Sequence, residues 1–355
     1  MAAVATSSTD LPVIDISSPS PETARDILDA ASTFGFVFVK NHDIGVPPAD
    51  IQAMFDLSRT FFQSPTEVKA TCSINSSTSG KNRGWLSMHT ETLDPAHQQR
   101  GDFKEAFNIG EFSSGKANQP LPAPLVEGEY RISQFIDQCH DLCNKIMDLF
   151  AAGLEIPSAE GGDKWFSDRH DKTKGPSGSI LRLLYYPSVP SPPEQTDIRA
   201  GAHSDYGSVT LLFQLPSQPG LEILTTSNEW APVPVNPTSD PNPPILVNIG
   251  DALSYWTNGL LRSTVHRVIF PQPEEGKSSE DRYSIAYFCH PLDEARLVPV
   301  PSEKVKGFHS AEGENQKRKV GYGGGTGDAD EAITARDHLN RRLAATYDLS
   351  DVKAE

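Results

Sequence analysis

The chain has 355 residues, with 31 basic and 47 acidic side chains and a net charge of −16. That length allows one large domain or two ordinary ones and excludes a small disulfide-stapled scaffold. No stretch approaches the ~18 consecutive apolar residues of a membrane span, and an acidic surface lacks the electrostatic footprint of a nucleic-acid binder.

The opening MAAVATSSTD has neither a basic start nor an apolar signal core, so a cytoplasmic protein is expected. Its partner is expected to be a small molecule, with neither nucleic acid nor membrane involved and the oligomeric state left open. The chain then reads as strand, helix, strand, helix. Leu11 to Ile16 is a short apolar run, and Pro21 to Phe34 has helical spacing at Ala24, Ile27, Leu28 and Ala31, ended by Gly35. Phe36 to Val39 is β-rich. Pro47-Pro48 opens a second helix with Ile51, Met54, Phe55, Leu57 and Phe61 on its apolar face.

Cys72 to Pro124 is polar and irregular around Trp85 and Phe103, a length of loop that is uncommon unless it covers a site. A long helix follows from about Glu127 to Leu154, with Ile132, Phe135, Ile136, Cys139, Leu142, Cys143, Ile146 and Leu149 on one side. Cys139 and Cys143 stand one helical turn apart beside His140. No second cysteine pair completes a tetrahedral zinc site, so they read as helix-packing residues.

From Ser179 the pattern changes to short β-type runs separated by Pro, Gly, Asn and Ser: Ile180–Tyr186, Ser208–Gln214, Leu221–Leu224, Ile245–Ile249, Ser263–Phe270 and Arg282–Phe288. Many short strands at this spacing indicate a sandwich or jelly roll, so the fold class is mainly β with flanking helices. Gly321 to Gly327 follows no strand and lacks G-x-G-x-x-G spacing, which makes it a loop rather than a dinucleotide site. A last helix is expected near Ala329 to Tyr347. Residues 1–125 form an N-terminal α/β region with a substrate-covering loop, and 126–355 the long helix, the jelly-roll core and the final helix, the two expected to make one unit.

The sharpest chemical signal is His203-Ser204-Asp205 followed by His266. Residues i and i+2 of an extended segment face the same way, so His203 and Asp205 can bind one ion while His266 arrives from a distant strand. Two imidazoles and one carboxylate on one face form the facial triad of non-haem Fe(II) sites, which leaves coordination positions open. Ten histidines among this many acids make one His-x-acid pair a chance event, and two occur, the other being His89-x-Glu91. Context separates them. His89 lies in the polar loop region, whereas His203 leads into a strand through the turn signal Asp205-Tyr206-Gly207.

A third element is Arg282-x-Ser284, again on one strand face, where a guanidinium beside a hydroxyl suits a carboxylate held in bidentate fashion. A surface arginine at a strand start is the plainer alternative. A dibasic acid would chelate the metal at one end and meet Arg282 at the other.

The order His203-x-Asp205, His266, Arg282-x-Ser284, with 60 residues between Asp205 and His266, resembles the Fe(II)/2-oxoglutarate dioxygenases of the isopenicillin N synthase-like branch. Within it, the chain is most similar to fungal thymine dioxygenases and related secondary-metabolism oxygenases. The likeness runs through Leu181-Arg-Leu-Leu-Tyr-Tyr-Pro187, Arg199-Ala-Gly-Ala-His-Ser-Asp-Tyr-Gly-Ser208, Ser263-Thr-Val-His-Arg-Val268 and Arg282-Tyr-Ser-Ile-Ala-Tyr-Phe-Cys289. It extends to Leu11-Pro-Val-Ile-Asp-Ile16, Asn82-Arg-Gly84 and Lys104-Glu-Ala-Phe-Asn-Ile-Gly110.

The resemblance implies a double-stranded β-helix core. It implies that His203, Asp205 and His266 hold iron and that Arg282 and Ser284 hold the distal carboxylate of 2-oxoglutarate, with Tyr186 reaching the same carboxylate. Arg182 matches a substrate position of thymine dioxygenases, and an inward arginine must meet a ligand or an internal acid. Tyr206 and Phe288 are the expected pocket walls. O2 is the second co-substrate, 2-oxoglutarate leaves as succinate and CO2, and a small aromatic or heterocyclic metabolite is oxidised, in the usual case hydroxylated. Thymine dioxygenases carry Asn-x-x-Arg where this chain has Ser179, which lacks an amide to match a pyrimidine edge.

Other readings of the same residues are an iron oxidase that does not use 2-oxoglutarate, a non-catalytic metal- or metabolite-binding protein, and a zinc hydrolase. The last lacks a general base beside the triad of the H-E-x-x-H kind.

Overall fold

A computed structural model describes residues 9–42, 45–74, 76, 79, 81–188, 198–270, 280–308 and 332–347. The first elements follow the expected order: β1 (Val13–Ile14), α1 (Pro21–Thr33), β2 (Phe36–Val39) and α2 (Pro48–Phe62). Helix α1 starts at Ser20, whose Oγ accepts the Thr23 N–H at 3.1 Å, a cap worth about 1 kcal/mol. It ends at Gly35, where φ is +69° and a Cβ would lie 2.4 Å from the Arg262 carbonyl. Only glycine lets the chain turn there against the segment that leads to His266.

The stretch expected to be one long loop is not. After α3 (Thr66–Ala70) it contributes β3 (Gly84–Leu86) and β4 (Glu105–Ile109), then the hairpin β5 (Phe112–Ser113) and β6 (Lys116–Ala117) and the short α4 (Ala123–Val126). Its polar look comes from charges that pair internally. Lys69 lies 2.8 Å from Glu105, which also accepts from Trp85 Nε1 at 2.8 Å, while Trp85, Leu86, Ala106 and Phe107 are buried. The long helix α5 (Glu129–Gly153) buries Ile132, Phe135, Cys139, Leu142, Cys143, Ile146 and Leu149 as expected, while Ile136 is only half-buried at the edge of that face. Cys139 and Cys143 are free thiols in this packing, and His140 Nδ1 lies 3.2 Å from Tyr287 OH.

The remaining strands are β7 (Ile180–Tyr186), β8 (Ala200–His203), β9 (Val209–Gln214), β10 (Leu221–Leu224), β11 (Trp230–Pro232), β12 (Ile245–Ile249), β13 (His266–Val268) and β14 (Arg282–Cys289). Helix α6 (Asp251–Trp256) lies between β12 and β13, and α7 (Glu303–Lys306) and α8 (Ala335–Tyr347) follow β14. Strands β8 and β11 and helices α6 and α7 were not expected. The described part of the final helix is Ala335–Tyr347; its expected start near Ala329 and the glycine-rich 321–327 lie outside the described residues.

An eight-stranded sheet in the order β1-β2-β12-β9-β14-β7-β4-β3 faces a four-stranded sheet in the order β11-β10-β13-β8. All pairs are antiparallel except β1 with β2. This is the double-stranded β-helix. The large sheet takes strands from both halves of the chain, because β1 to β4 flank the strands that follow α5. Alternation along β14 divides the two environments: Tyr283, Ile285, Tyr287 and Cys289 join the core under the helices, while Ala286 belongs to the cluster between the sheets. The space between the sheets holds the site.

Candidate metal centre and substrate chamber

His203 ends β8, His266 begins β13, and the antiparallel ladder pairs them directly, with ring centroids 4.3 Å apart. Each Nδ1 donates to the carbonyl two residues earlier in its own chain, His203 to Gly201 at 2.7 Å and His266 to Thr264 at 3.1 Å. Both Nε2 atoms therefore carry the free lone pair, and they lie 3.9 and 3.7 Å from Asp205 Oδ1. The other carboxylate oxygen is occupied: Asp205 Oδ2 accepts from Thr210 Oγ1 and from Asn248 Nδ2, both at 2.7 Å.

Burial raises the Asp205 pKa, but the two imidazoles and these donors outweigh it and hold the carboxyl below its ordinary value. Burial and the neighbouring His266 push His203 down to about 4. At neutral pH the cluster thus presents a neutral imidazole and a carboxylate, the forms that bind metal. One atom from each of the three residues falls within 4.8 Å of the others, and among the described residues no fourth His, Cys, Asp or Glu joins them. The donor set fits an Fe(II) facial triad with open positions rather than a closed structural zinc site.

The cavity beside this cluster is lined at its far end by Tyr186, Arg282 and Ser284. Arg282 is 1 % exposed. Its Nη1 donates to Ser284 Oγ at 3.2 Å, its Nη2 to Gln214 Oε1 at 3.0 Å and its Nε to the Gln218 carbonyl at 3.2 Å. The β7–β14 register sets Tyr186 opposite, with its ring 5.0 Å from the guanidinium. Every described hydrogen-bond acceptor of Arg282 is neutral, so its charge faces the cavity uncompensated.

On the other side of the triad the cavity continues into a chamber lined by Arg182, Tyr206 and Phe288 together with Asn82, Glu91 and His290. Helix α8 closes it with Leu339 and Leu343. Arg182 meets an internal acid, Glu91 Oε2, at 2.8 Å, and the same oxygen accepts Lys104 Nζ at 2.8 Å. Lys104 also pairs with Asp102. Burial would lower the Lys104 pKa, but the Asp102 and Glu91 carboxylates outweigh it and hold the ammonium above its ordinary value.

The two His-x-acid pairs are now distinct. His89 has φ +62°, bonds to Gly101 O at 2.7 Å and packs on Phe103, so it takes no part in the triad. Its neighbour Glu91 nevertheless reaches the chamber. Ser179 offers the chamber no hydroxyl, because its Oγ accepts the His290 N–H at 2.9 Å and donates to the His290 carbonyl at 3.3 Å. Sequence reasoning missed Glu91, Lys104, Asp102, Asn248, Thr210 and His290. Glu91 carried a signal, in a motif judged for the wrong role, and Lys104 opened a segment of the family likeness without being assigned a role.

Two family models match the chain. Residues 11–127 match the N-terminal region described as that of a non-haem dioxygenase in morphine synthesis, and residues 177–291 match the 2OG-Fe(II) oxygenase superfamily. A UPF0676 protein of Schizosaccharomyces pombe is 35% identical over 97% of this chain and 94% of its own length. The 2-oxoglutarate-dependent dioxygenase htyE of Aspergillus rugulosus is 29% identical over 91% of this chain and 92% of its own. Among solved structures, a full-length Neurospora crassa protein in complex with alpha-KG and thymine superposes with a TM-score of 0.73 at 30% identity, covering 94% of this chain and 96% of that one.

Proposed function

The chain belongs to the 2OG-Fe(II) oxygenase superfamily and is a 2-oxoglutarate-dependent dioxygenase, and from that premise we propose how its residues divide the work. His203, Asp205 and His266 hold Fe(II). Arg282 and Ser284, flanked by Tyr186, hold the distal carboxylate of 2-oxoglutarate. Arg182, Tyr206 and Phe288 wall the chamber for a small aromatic or heterocyclic substrate with carbonyl or acidic groups.

The observation that carries this reading is the buried, uncompensated Arg282 at the far end of the cavity that begins at the triad. A dicarboxylate spanning the two ends neutralises the guanidinium and places its other end at the metal. When bound, iron supplies the redox chemistry by which O2 converts 2-oxoglutarate to succinate and CO2 and oxidises a substrate C–H bond. The protein's residues do the positioning. The Gly201 and Thr264 carbonyls aim the two imidazoles, Thr210 and Asn248 fix the carboxylate, and Leu93, Phe288, Leu339 and Leu343 exclude water from the chamber.

The thymine held by the Neurospora crassa relative supports a small heterocycle as the substrate class. The acidic charge balance favours a metabolite over nucleic acid, and no described helix is long and apolar enough to cross a membrane. Four free, buried cysteines agree with a reducing compartment, the cytoplasm.

The test is succinate release from purified protein with Fe(II), ascorbate and 2-oxoglutarate, while candidate ring compounds are screened by mass spectrometry for gain of one oxygen. Slow succinate release alone, accelerated by a compound that is itself oxidised, is the expected result. O2 consumption without succinate would instead assign an oxidase that does not use 2-oxoglutarate, and neither would leave a binding protein.

A further inference from the structure

The inward positions of β14 recur at every second residue, Arg282, Ser284, Ala286 and Phe288, and the alternation continues past the strand end to His290 in the chamber wall. One face thus runs from the co-substrate end of the cavity to the substrate end. His290 is 6 % exposed. Its ring lies in a slot made by two glycines: a Cβ at Gly178 would stand 3.3 Å from Cγ and Nδ1, and one at Gly207 2.9 Å from Cδ2 and Nε2.

The backbone of His290 is clamped on both sides by the Ser179 hydroxyl. The ring is not clamped. Among the described residues none hydrogen-bonds to either ring nitrogen, although the ring faces the chamber, and buried polar groups are seldom left without a partner. Burial, then the nearby His338 and His170, push its pKa down to about 3, so at neutral pH the imidazole offers one donor and one acceptor and no charge. The arginine of the chamber wall, Arg182, carries Glu91 as its counter-ion. The chamber therefore offers hydrogen bonds without a net attraction for a carboxylate.

We propose that the His290 imidazole hydrogen-bonds the organic substrate and sets its class: an uncharged ring compound that presents a carbonyl, hydroxyl or ring N–H. The proposal rests on the dioxygenase reading of the site and narrows it. Ser179 is a positioning residue that acts through the His290 backbone.

The test uses the holoenzyme loaded with Fe(II) and 2-oxoglutarate without O2, titrated calorimetrically with thymine, uracil, 2-pyridone, phenol and benzoate. The tightest ligand should be one of the uncharged compounds. Its Kd should rise about tenfold in His290→Phe and less in His290→Gln, which keeps hydrogen-bonding groups. Binding of 2-oxoglutarate in the same samples reports folding, and His290→Gln decides the matter if His290→Phe fails that control. Equal affinity in wild type and variant overturns the role of His290. Benzoate as the tightest ligand, or no binding by any of the compounds to an enzyme that holds 2-oxoglutarate, overturns the proposed class. Failure of the wild type to bind 2-oxoglutarate overturns the underlying reading instead.

Discussion

Asp102 reaches His203 through one residue: its Oδ1 accepts the Gly201 N–H at 3.1 Å, and the Gly201 carbonyl accepts from His203 Nδ1 at 2.7 Å. Lys104 ties that carboxylate to Glu91, and Glu91 to Arg182. Two cations and two anions are thus buried together between the proposed metal ligand and the chamber.

Replacing Lys104 with methionine strands Asp102 and Glu91 with one remaining cation. Removing one partner of a buried pair costs about 3 kcal/mol or more, against less than ~1 kcal/mol for a surface pair. Urea denaturation of Lys104→Met should show the larger loss. A change within the surface range would mean that the network is not a unit.

The two His-x-acid pairs make opposite predictions. His266→Ala should abolish Fe(II) binding, followed anaerobically by the absorption that appears with iron and 2-oxoglutarate. His89→Ala should leave binding intact and cost about 1 kcal/mol of stability, the worth of its bond to Gly101. Equal loss of iron from both variants would show the triad to be misassigned.

Arg282→Lys keeps the charge and loses the planar fork that Ser284 and Gln214 hold in place. Loss of a charge-assisted hydrogen bond is worth about 2 kcal/mol, so KM for 2-oxoglutarate should rise roughly thirtyfold. Fe(II) affinity measured without 2-oxoglutarate should stay within about twofold of wild type. An unchanged KM would remove Arg282 from the co-substrate site.

Asn248→Leu is close in volume and removes one of two donors to Asp205 Oδ2. Partners that orient a metal ligand typically contribute tenfold or more to affinity, so the Fe(II) Kd should rise by about that factor. Thr210→Val should act in the same direction, and the double variant should exceed either. No change in the double variant would mean that the carboxylate needs no such support.

The parts legible in the sequence are those written in a period of two or 3.6. His203 and Asp205 share a face, as do Arg282 and Ser284, and the apolar rows of α1, α2 and α5 are plain. What stayed hidden depends on partners far along the chain. The stretch that holds β3 and β4 looks polar because Glu105 is read without Lys69, and Lys104 without Asp102 and Glu91. Strand β8 is four residues long with a glycine inside it, too short for alternation to register, although it supplies His203. Asp251 carries no local signal at all. Its importance appears only when Ser204, Ser263 and Arg342 arrive around it.

That convergence makes a last prediction. Asp251 is 1 % exposed; its Oδ2 accepts from Ser204 Oγ at 3.1 Å, its Oδ1 accepts from Ser263 Oγ at 2.7 Å, and Oδ2 pairs with Arg342 at 3.1 Å. Ser204 sits between His203 and Asp205, Ser263 leads into His266, and Arg342 belongs to α8, which also anchors through His338 Nε2 donating to the Tyr206 carbonyl at 2.9 Å. One carboxylate therefore links both metal-bearing segments to the helix that closes the chamber. In Arg342→Met the two serines still hold Asp251, so the triad should keep its iron and its 2-oxoglutarate. Helix α8 should loosen, with proteolysis within 335–347 accelerated and the KM for a ring substrate raised severalfold, consistent with the loss of about 2 kcal/mol of docking energy. Loss of iron in this variant would show that α8 supports the metal centre itself. Unchanged proteolysis and unchanged KM would mean that Leu339 and Leu343 hold the helix without the ion pair.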